Sequence, residues 1–485
     1  MALGMAPAAR QVAPAPRHNA ALALMLADGG DERIKPDALT GRTKYGTPVG
    51  QAPGEIWFSS STATAIERRG MAAASDALTA LTGQFVHPAT WFERLRQRIV
   101  GLFGILGSEA ILTASGTEAE FIALSIARAA TERPLTSIVI APTETGRGVT
   151  RAAGGRHFLA STSLSATVEP GAYLAGIADV EVETIPIRDL AGAPRTGAEI
   201  DAETAACVTR ALAAGRDVLL HVLDTSKTGL AGVTRQRARE LATNRRVQIV
   251  VDACQLRCPR ERLQADLRAG FMVMITGSKF AAGPPFAGAL LLPPGMTKRL
   301  DERRGLAAGL AAYSAVFDWP APLQRDFTAA LDTLFNLGLG LRWEAALATL
   351  EAFFALPESL RTQILNAFSA EVERHIAARP HLRLVAGAAD ATIFALVTDG
   401  AKGPAEAAAL YRGLAEEGAD ADLARPCHVG QPVEIGNETA LRICASMPLV
   451  LDIAAHMAEG RTINSAPVTG DLDFLFRKWD RLAGC

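Results

Sequence analysis

The sequence predicts an α/β protein: a large domain around a seven-stranded, mainly parallel sheet, followed by a smaller α+β domain. Three observations carry that prediction. Short, uninterrupted apolar runs alternate with helical segments from Glu109 onward, as strands do when both faces of a parallel sheet are covered. After Pro293 the pattern changes to long helical periodicities. A chain of 485 residues with 49% hydrophobic content can also bury a large core and divide into two or three domains.

Residues 1–75 are expected to form a disordered terminus and an arm. The opening MALGMAPAARQVAPAPR is rich in Ala, Pro and Arg and is read as disordered rather than as a signal peptide. Ala20 to Ala27 is a short apolar run ended by Gly29-Gly30-Asp31, and Ile34 to Gly54 has the Gly, Pro and Thr content of an extended arm. In EIWFSSSTATAIE, Glu55 to Glu67, a β-prone start runs into Ser59, Ser60, Ser61, Thr62 and Thr64. This cluster is either a capped turn before a helix from Ala65 or a small-residue wall beside a ligand.

Residues 76–320 are expected to hold the large domain. Its candidate strands are Ala110 to Thr113, Ser137 to Ala141, Val180 to Ile187, Val218 to Leu223, Val247 to Asp252, Phe271 to Thr276 and Phe286 to Leu292. Helices between them imply right-handed crossovers, but only ten residues separate the last two runs, so the final strand fits an antiparallel place. Residues 321–485 are expected to hold a long linking helix, Phe327 to Ala355, and a small domain. The latter has a helix at Pro357 to Ala378, a strand at Ala391 to Val397 and a helix at Pro404 to Glu417.

Composition excludes several classes. With 49 basic and 51 acidic residues there is no global field for nucleic acid or a membrane surface, and no run is long enough to span a bilayer. The arginines of Thr234 to Arg246 alternate with apolar residues, as on a solvated helix face. Six cysteines, at 207, 254, 258, 427, 444 and 485, form no CxxC pair, which suits reduced thiols in a cytoplasm. The eight histidines form no HExxH, so no metal site is expected.

The chemistry converges on IVVDACQLRCPRERLQADLRAGFMVMITGSKFAAGPPFAGALLL, Ile249 to Leu292. Asp252 ends one apolar run; Thr276-Gly277-Ser278-Lys279 ends the next, with Asp252 and Lys279 27 residues apart. That spacing fits strand, helix, strand, which brings both residues to the carboxyl edge of a parallel sheet, where open α/β folds bind ligands. A lysine amine and an aspartate so placed are what pyridoxal phosphate needs: the amine forms a Schiff base with its aldehyde, and the carboxylate keeps the pyridinium nitrogen protonated. Upstream, Ser115-Gly116-Thr117 opens a helix directly after a strand. Exposed N–H groups there suit a phosphate, although the same residues also serve as a plain N-cap.

These residues resemble the pyridoxal-phosphate enzymes of fold type I, and within them the class V aminotransferase and cysteine desulfurase group, over roughly Ile56 to Ala445. Asp252-Ala253-Cys254-Gln255, with Thr276 to Lys279 and Gly283-Pro284, is similar to that family's Asp-x-x-Gln and Ser-x-His-Lys blocks. The resemblance implies that Lys279 holds the cofactor and shuttles the proton, that Asp252 pairs with the pyridine nitrogen, and that Gln255 reaches the phenolic oxygen. It puts Thr276, Ser278, Ser115, Gly116 and Thr117 at the phosphate and Ser226, in DTSKTG, near the phenolate. Phe58 to Thr64 is similar to an N-terminal Leu-Asp-x-x-x-Thr-Thr segment, which makes Ser60 and Thr62 substrate-binding candidates. Arg442, in Ala440-Leu441-Arg442-Ile443, matches the arginine that clamps a substrate carboxylate with its bidentate fork. There are two departures. Pro142-Thr143-Glu144-Thr145-Gly146-Arg147 stands where relatives carry a ring-stacking histidine, leaving Thr145 or Arg147 to cover the ring, and Ser278 replaces a histidine.

Transamination of an amino acid or related amine is the expected reaction, since it needs only Lys279 as base and Arg442 as clamp. The alternative is a cysteine desulfurase or C–S lyase with Cys427 as sulfur acceptor. That thiol lies in the loop-like ARPCHVGQPVEIG beside His428, and a neighbouring cation lowers a thiol from about 8.5 toward neutrality. A non-catalytic sensor built on the same fold is a third reading, disfavoured because Lys279 and Asp252 are both present. The resemblance further implies a homodimer with active sites at the subunit interface.

Overall fold

A computed structural model describes residues 16–59, 64–300, 305–324, 328–386 and 392–484. In chain order it opens with α1 (Pro16–Ala27), β1 (Ile56–Phe58), α2 (Arg68–Thr82), α3 (Pro88–Phe103), β2 (Glu109–Thr113) and α4 (Gly116–Ala129). Then come β3 (Leu135–Ile140), α5 (Val149–Ala153), β4 (Val180–Ile185), α6 (Gly197–Ala213), β5 (Asp217–Leu223), α7 (Arg235–Leu241), β6 (Val247–Asp252), α8 (Arg260–Arg268), β7 (Met272–Thr276), β8 (Gly288–Leu292) and α9 (Met296–Leu300). The rest comprises α10 (Leu337–Ala355), α11 (Glu358–Ala377), β9 (Leu382–Leu384), β10 (Ile393–Thr398), α12 (Pro404–Ala415), β11 (Cys427–Ile435), β12 (Glu438–Cys444), α13 (Met447–Ala458) and α14 (Pro467–Ala483).

The first sheet has seven strands in the order β2-β8-β7-β6-β5-β3-β4. β8 runs antiparallel to both of its neighbours, and the other neighbouring pairs are parallel. All seven expected strands are present, with ends shifted by a residue or two. Their side chains alternate between two cores, as the two-residue period of a strand requires. Leu220, Val222, Ile249, Val251, Val273 and Ile275 enter one, while Leu219, Val250, Met272, Met274 and Leu290 enter the other. Each such side chain contributes about 1.5–3 kcal/mol on burial, so the central strands are the most firmly fixed part of the chain.

The second sheet has the order β1-β11-β12-β10-β9. Here the arm departs from expectation. Ile56 and Phe58 are buried, and β1 pairs in parallel with β11, Ile56 opposite Cys427 and Phe58 opposite Val429. The arm therefore contributes a strand to the smaller sheet, and α2 begins at Arg68, within the stretch expected to be arm. The segment read as a loop around Cys427 is a nine-residue strand. Gly430 and Pro432 gave it a loop's composition. The register shift between Gly430 and Val433 carries the proline past the ladder, where its missing N–H is tolerated. Gly430 is required for a different reason: a Cβ there would lie 2.8 Å from that of Arg442 across the pair.

The expected linking helix starts later than its apolar period suggested. Phe327 lies outside the described residues, and α10 begins after Asn336, whose side chain accepts from Leu339 N at 3.0 Å. α10 packs along α2 and carries Arg342, which is fully buried. Its guanidinium donates to the carbonyls of Phe286 (2.8 Å), Leu26 (2.9 Å), Gly29 (2.7 Å) and Asp28, tying the end of α1 to the entry of β8. Burial pulls this group down to about 9. Arg342→Ala orphans four carbonyls at once. It is expected to destabilise the protein by about 3 kcal/mol or more in urea unfolding and to expose the Asp28–Asp31 turn to proteolysis.

Candidate active site

Asp252 is the last residue of β6, and Lys279 lies three residues beyond the end of β7. These parallel neighbours leave both side chains at one carboxyl edge, half-buried. Thr276 Oγ1 donates to Cys254 O at 2.7 Å, pinning the end of β7 to the turn after β6, and Asp252 Oδ1 accepts from Cys254 N at 3.0 Å. Neither Asp252 nor Lys279 forms an ion pair among the described residues. Backbone strain gathers around them: Leu256, Ala282, Ala141 and Phe286 hold φ of 55°, 49°, 51° and 72°, values that residues with a Cβ adopt only where their surroundings impose them.

Behind Asp252 lies a buried pair. His221 on β5 places Nδ1 3.0 Å from Ile138 O and Nε2 2.7 Å from Glu120 Oε2 on α4. Nδ1 must donate to the carbonyl, so the short contact at Nε2 holds one further proton between ring and carboxyl. Burial pushes Glu120 up; it opposes the charge on His221, but Glu120 lifts the imidazole above its ordinary value. Sharing one proton makes the pair neutral overall and leaves Asp252 as the local negative charge.

The start of α4 closes over this edge. Ser115 Oγ accepts from Glu118 N at 3.2 Å, as an N-cap does. Gly116 and Thr117 stand in the first turn, where backbone N–H groups have no intrahelical acceptor. A Cβ on Gly116 would meet Cys254 Sγ at 2.6 Å, and one on Gly146 would meet Thr117 Oγ1 at 3.2 Å. The helix start, the β6 turn and the loop after β3 therefore meet in close contact. Thr145, Ser278 and Gln255 are buried as well, and Gln255 Oε1 has no hydrogen-bond partner among the described residues. A cradle of N–H and hydroxyl groups, a carboxylate, an unbonded amide oxygen and a lysine is a donor set that fits pyridoxal phosphate.

Ser226 is not available as expected. Its hydroxyl donates to Glu144 Oε2 at 2.7 Å and accepts from Leu230 N at 3.0 Å and Thr228 N at 3.2 Å. It belongs to a buried network in which Glu144 also binds Arg188 and Thr228. The next residue, Lys227, escaped notice. It is half-buried, and its Nζ has no partner among the described residues. Burial first, then the charges of Arg442, Lys279 and Arg147, pull its ammonium down to about 7. The edge argument that found Asp252 would have found Lys227, since β5 ends four residues before it. Arg442, buried on β12, donates through Nε and Nη2 to Gln431 O at 3.3 and 3.2 Å. The second sheet thus brings it within electrostatic reach of Lys227.

Ser60 and Thr62 lie outside the described residues. Ser59 and Thr64, beside them, are buried and line a cavity of about 710 Å³ with Glu67, Ala282, Ser446 and Asp452. Neither Lys279 nor Arg442 lines it. Glu371, His375 and Asp473 are close enough to share a cation, but Arg374 already donates to Glu371 at 2.6 Å and stands 3.6 Å from Asp473. No helix among the described residues is long and apolar enough to cross a membrane.

The setting of Cys427 corrects the expectation of a lowered thiol. It is buried at the head of β11, and burial pushes it up to about 12 despite Lys478 and Arg425 nearby. Iodoacetamide at neutral pH is therefore expected to leave Cys427 unmodified in the native protein, as peptide mapping would show. Burial, and then Asp31, also raises Glu118 from its ordinary 4.5 to about 8. Between those values the native state binds more protons than the unfolded state, so this contribution to stability is full below about pH 4.5 and lost as pH rises through about 8. Urea midpoints compared at about pH 5 and pH 8 should fall less in Glu118→Gln than in the parent.

No protein-family model and no curated protein sequence matches the chain. Solved structures do. An alanine–glyoxylate aminotransferase from Nostoc sp. superposes with a TM-score of 0.55 at 14% identity, covering 89% of this chain and 96% of the other. The cysteine desulfurase CsdA from Escherichia coli gives 0.55 at 15% identity, with 88% and 94% covered. A structure of SPT with PLP gives 0.52 at 13% identity, with 89% and 87% covered. The architecture of this chain is that of these enzymes, the fold type I arrangement that the resemblance in sequence implies.

Proposed function

We propose that the protein is a pyridoxal-phosphate-dependent enzyme acting on an amino acid or related amine, with transamination as its reaction. One observation carries the proposal: Asp252 and Lys279 stand without ion-pair partners among the described residues at one sheet edge, beneath the uncapped N–H groups of Gly116 and Thr117. When bound, the cofactor supplies an electron sink for the carbanion left by loss of a substituent at the substrate Cα.

The chain's own residues do the rest. Gly116 and Thr117 N–H, with the Ser278 hydroxyl, hold the phosphate at the positive end of α4. Asp252 keeps a proton on the pyridine nitrogen, and the neutral His221–Glu120 pair leaves its charge undivided. Lys279 Nζ would anchor the cofactor until substrate arrives and, once displaced, would serve as the base that takes the proton from the substrate Cα. Arg442 holds the substrate carboxylate in a site already stripped of water, where a charge-assisted fork is strong. The resemblance in sequence supports a homodimer with the sites at its interface. A desulfurase would need a thiolate, and the buried Cys427 does not favour that alternative.

Purified protein with added pyridoxal phosphate should develop a yellow chromophore that borohydride fixes to Lys279. Lys279→Ala should lose covalent attachment, and the parent should form a keto acid from a member of an amino-acid panel, with the cofactor left in its amine form. A protein that remains colourless overturns the cofactor assignment. Sulfide and alanine released from cysteine would replace transamination by desulfuration.

A further inference from the structure

We propose that Lys227 and Arg147 form a second anion subsite beside Arg442, so that the amino acid handled at Lys279 carries an acidic side chain. The proposal rests on the function given above and narrows its substrate class. Arg147 follows β3, Lys227 follows β5 and Lys279 follows β7, strands of one parallel run whose loops leave the same carboxyl edge, and Arg442 on β12 adds its charge to theirs at Lys227. None of the four forms an ion pair among the described residues.

The carboxylate in the neighbourhood is Glu144, and it is already spent. It receives Arg188, Ser226 and Thr228, and its backbone carbonyl accepts from Lys227 N at 2.9 Å, which aligns the two loops without neutralising the lysine. Clustered cations without a counter-charge destabilise a fold, and they persist where a ligand supplies the charge. Three of these cations have a ligand to hold once Lys279 is engaged with the cofactor. The cofactor phosphate has the N–H groups of α4, and one carboxylate satisfies the Arg442 fork. Lys227, a flexible point charge, and Arg147, exposed at the rim, remain for a second anion. A distal carboxylate and a phosphonate or phosphate share the required chemistry. Binding of either would restore the Lys227 ammonium, which burial and then its cationic neighbours hold down to about 7.

Calorimetric titration of the cofactor-loaded protein tests this without turnover. Glutarate and 3-phosphonopropionate serve as dianionic probes, and butyrate is the monoanionic control. We expect at least one dianion to bind about tenfold or more tightly than butyrate, the difference between glutarate and the phosphonate reporting the anion. Lys227→Met should bring the two classes to within about threefold. Lys227→Arg should retain most of the preference. Equal affinity for dianions and butyrate in the parent overturns the proposal. So does a Lys227→Met variant that keeps the dianion preference, or one that loses the cofactor instead, which would assign Lys227 to the cofactor phosphate. A parent that never takes up the cofactor fails on the earlier function and is recognised by its missing chromophore.

Discussion

The approach of Gly116 to Cys254 is the constraint on which the site depends. A Cβ at 2.6 Å from a sulfur cannot be accommodated, and Cys254 is itself held by Thr276 and Asp252. Without a side chain at 116, the positive end of α4 rests directly on the turn between the aspartate and the strand that leads to the lysine. An alanine would push the helix start away from the sheet edge. The donors, carboxylate and amine would then no longer face one volume. Strained backbone at Leu256 and Ala282 marks the other sides of the same compression.

Much of this was legible in the sequence because it follows from burial. Strands covered on both faces must be apolar throughout, so their runs stood out and their ends located Asp252 and Lys279. What was missed shares a different cause. Lys227 is an isolated lysine in a polar loop, and nothing local distinguishes such a residue from a solvated one; only the fold brings Arg442 to it from more than 200 residues away. Ser226 differs for the same reason, because Glu144, which accepts its hydroxyl proton and is itself held by Arg188, is remote in the chain. Around Cys427, Gly430 and Pro432 imitate a loop while serving a bulge and a close strand crossing.

The electrostatic design combines two opposite treatments of buried charge. His221 and Glu120 are matched into a neutral pair, and Glu144 is saturated by Arg188 and hydroxyls. Arg442, by contrast, is buried with only a backbone carbonyl to bond among the described residues. Desolvating a guanidinium without a counter-ion is costly. Fold likeness to an aminotransferase and a desulfurase does not distinguish chemistries.

The parallel pairing of β1 with β11 also bears on how the protein is made. Ile56 leaves the ribosome 371 residues ahead of Cys427, its partner. At about 5–20 residues per second that interval is roughly 20 to 70 s. The seven-stranded sheet, complete by Leu292, can form while translation continues, but the smaller sheet cannot. Until its C-terminal strands are synthesised, the apolar Ile56–Phe58 segment has no ladder to join.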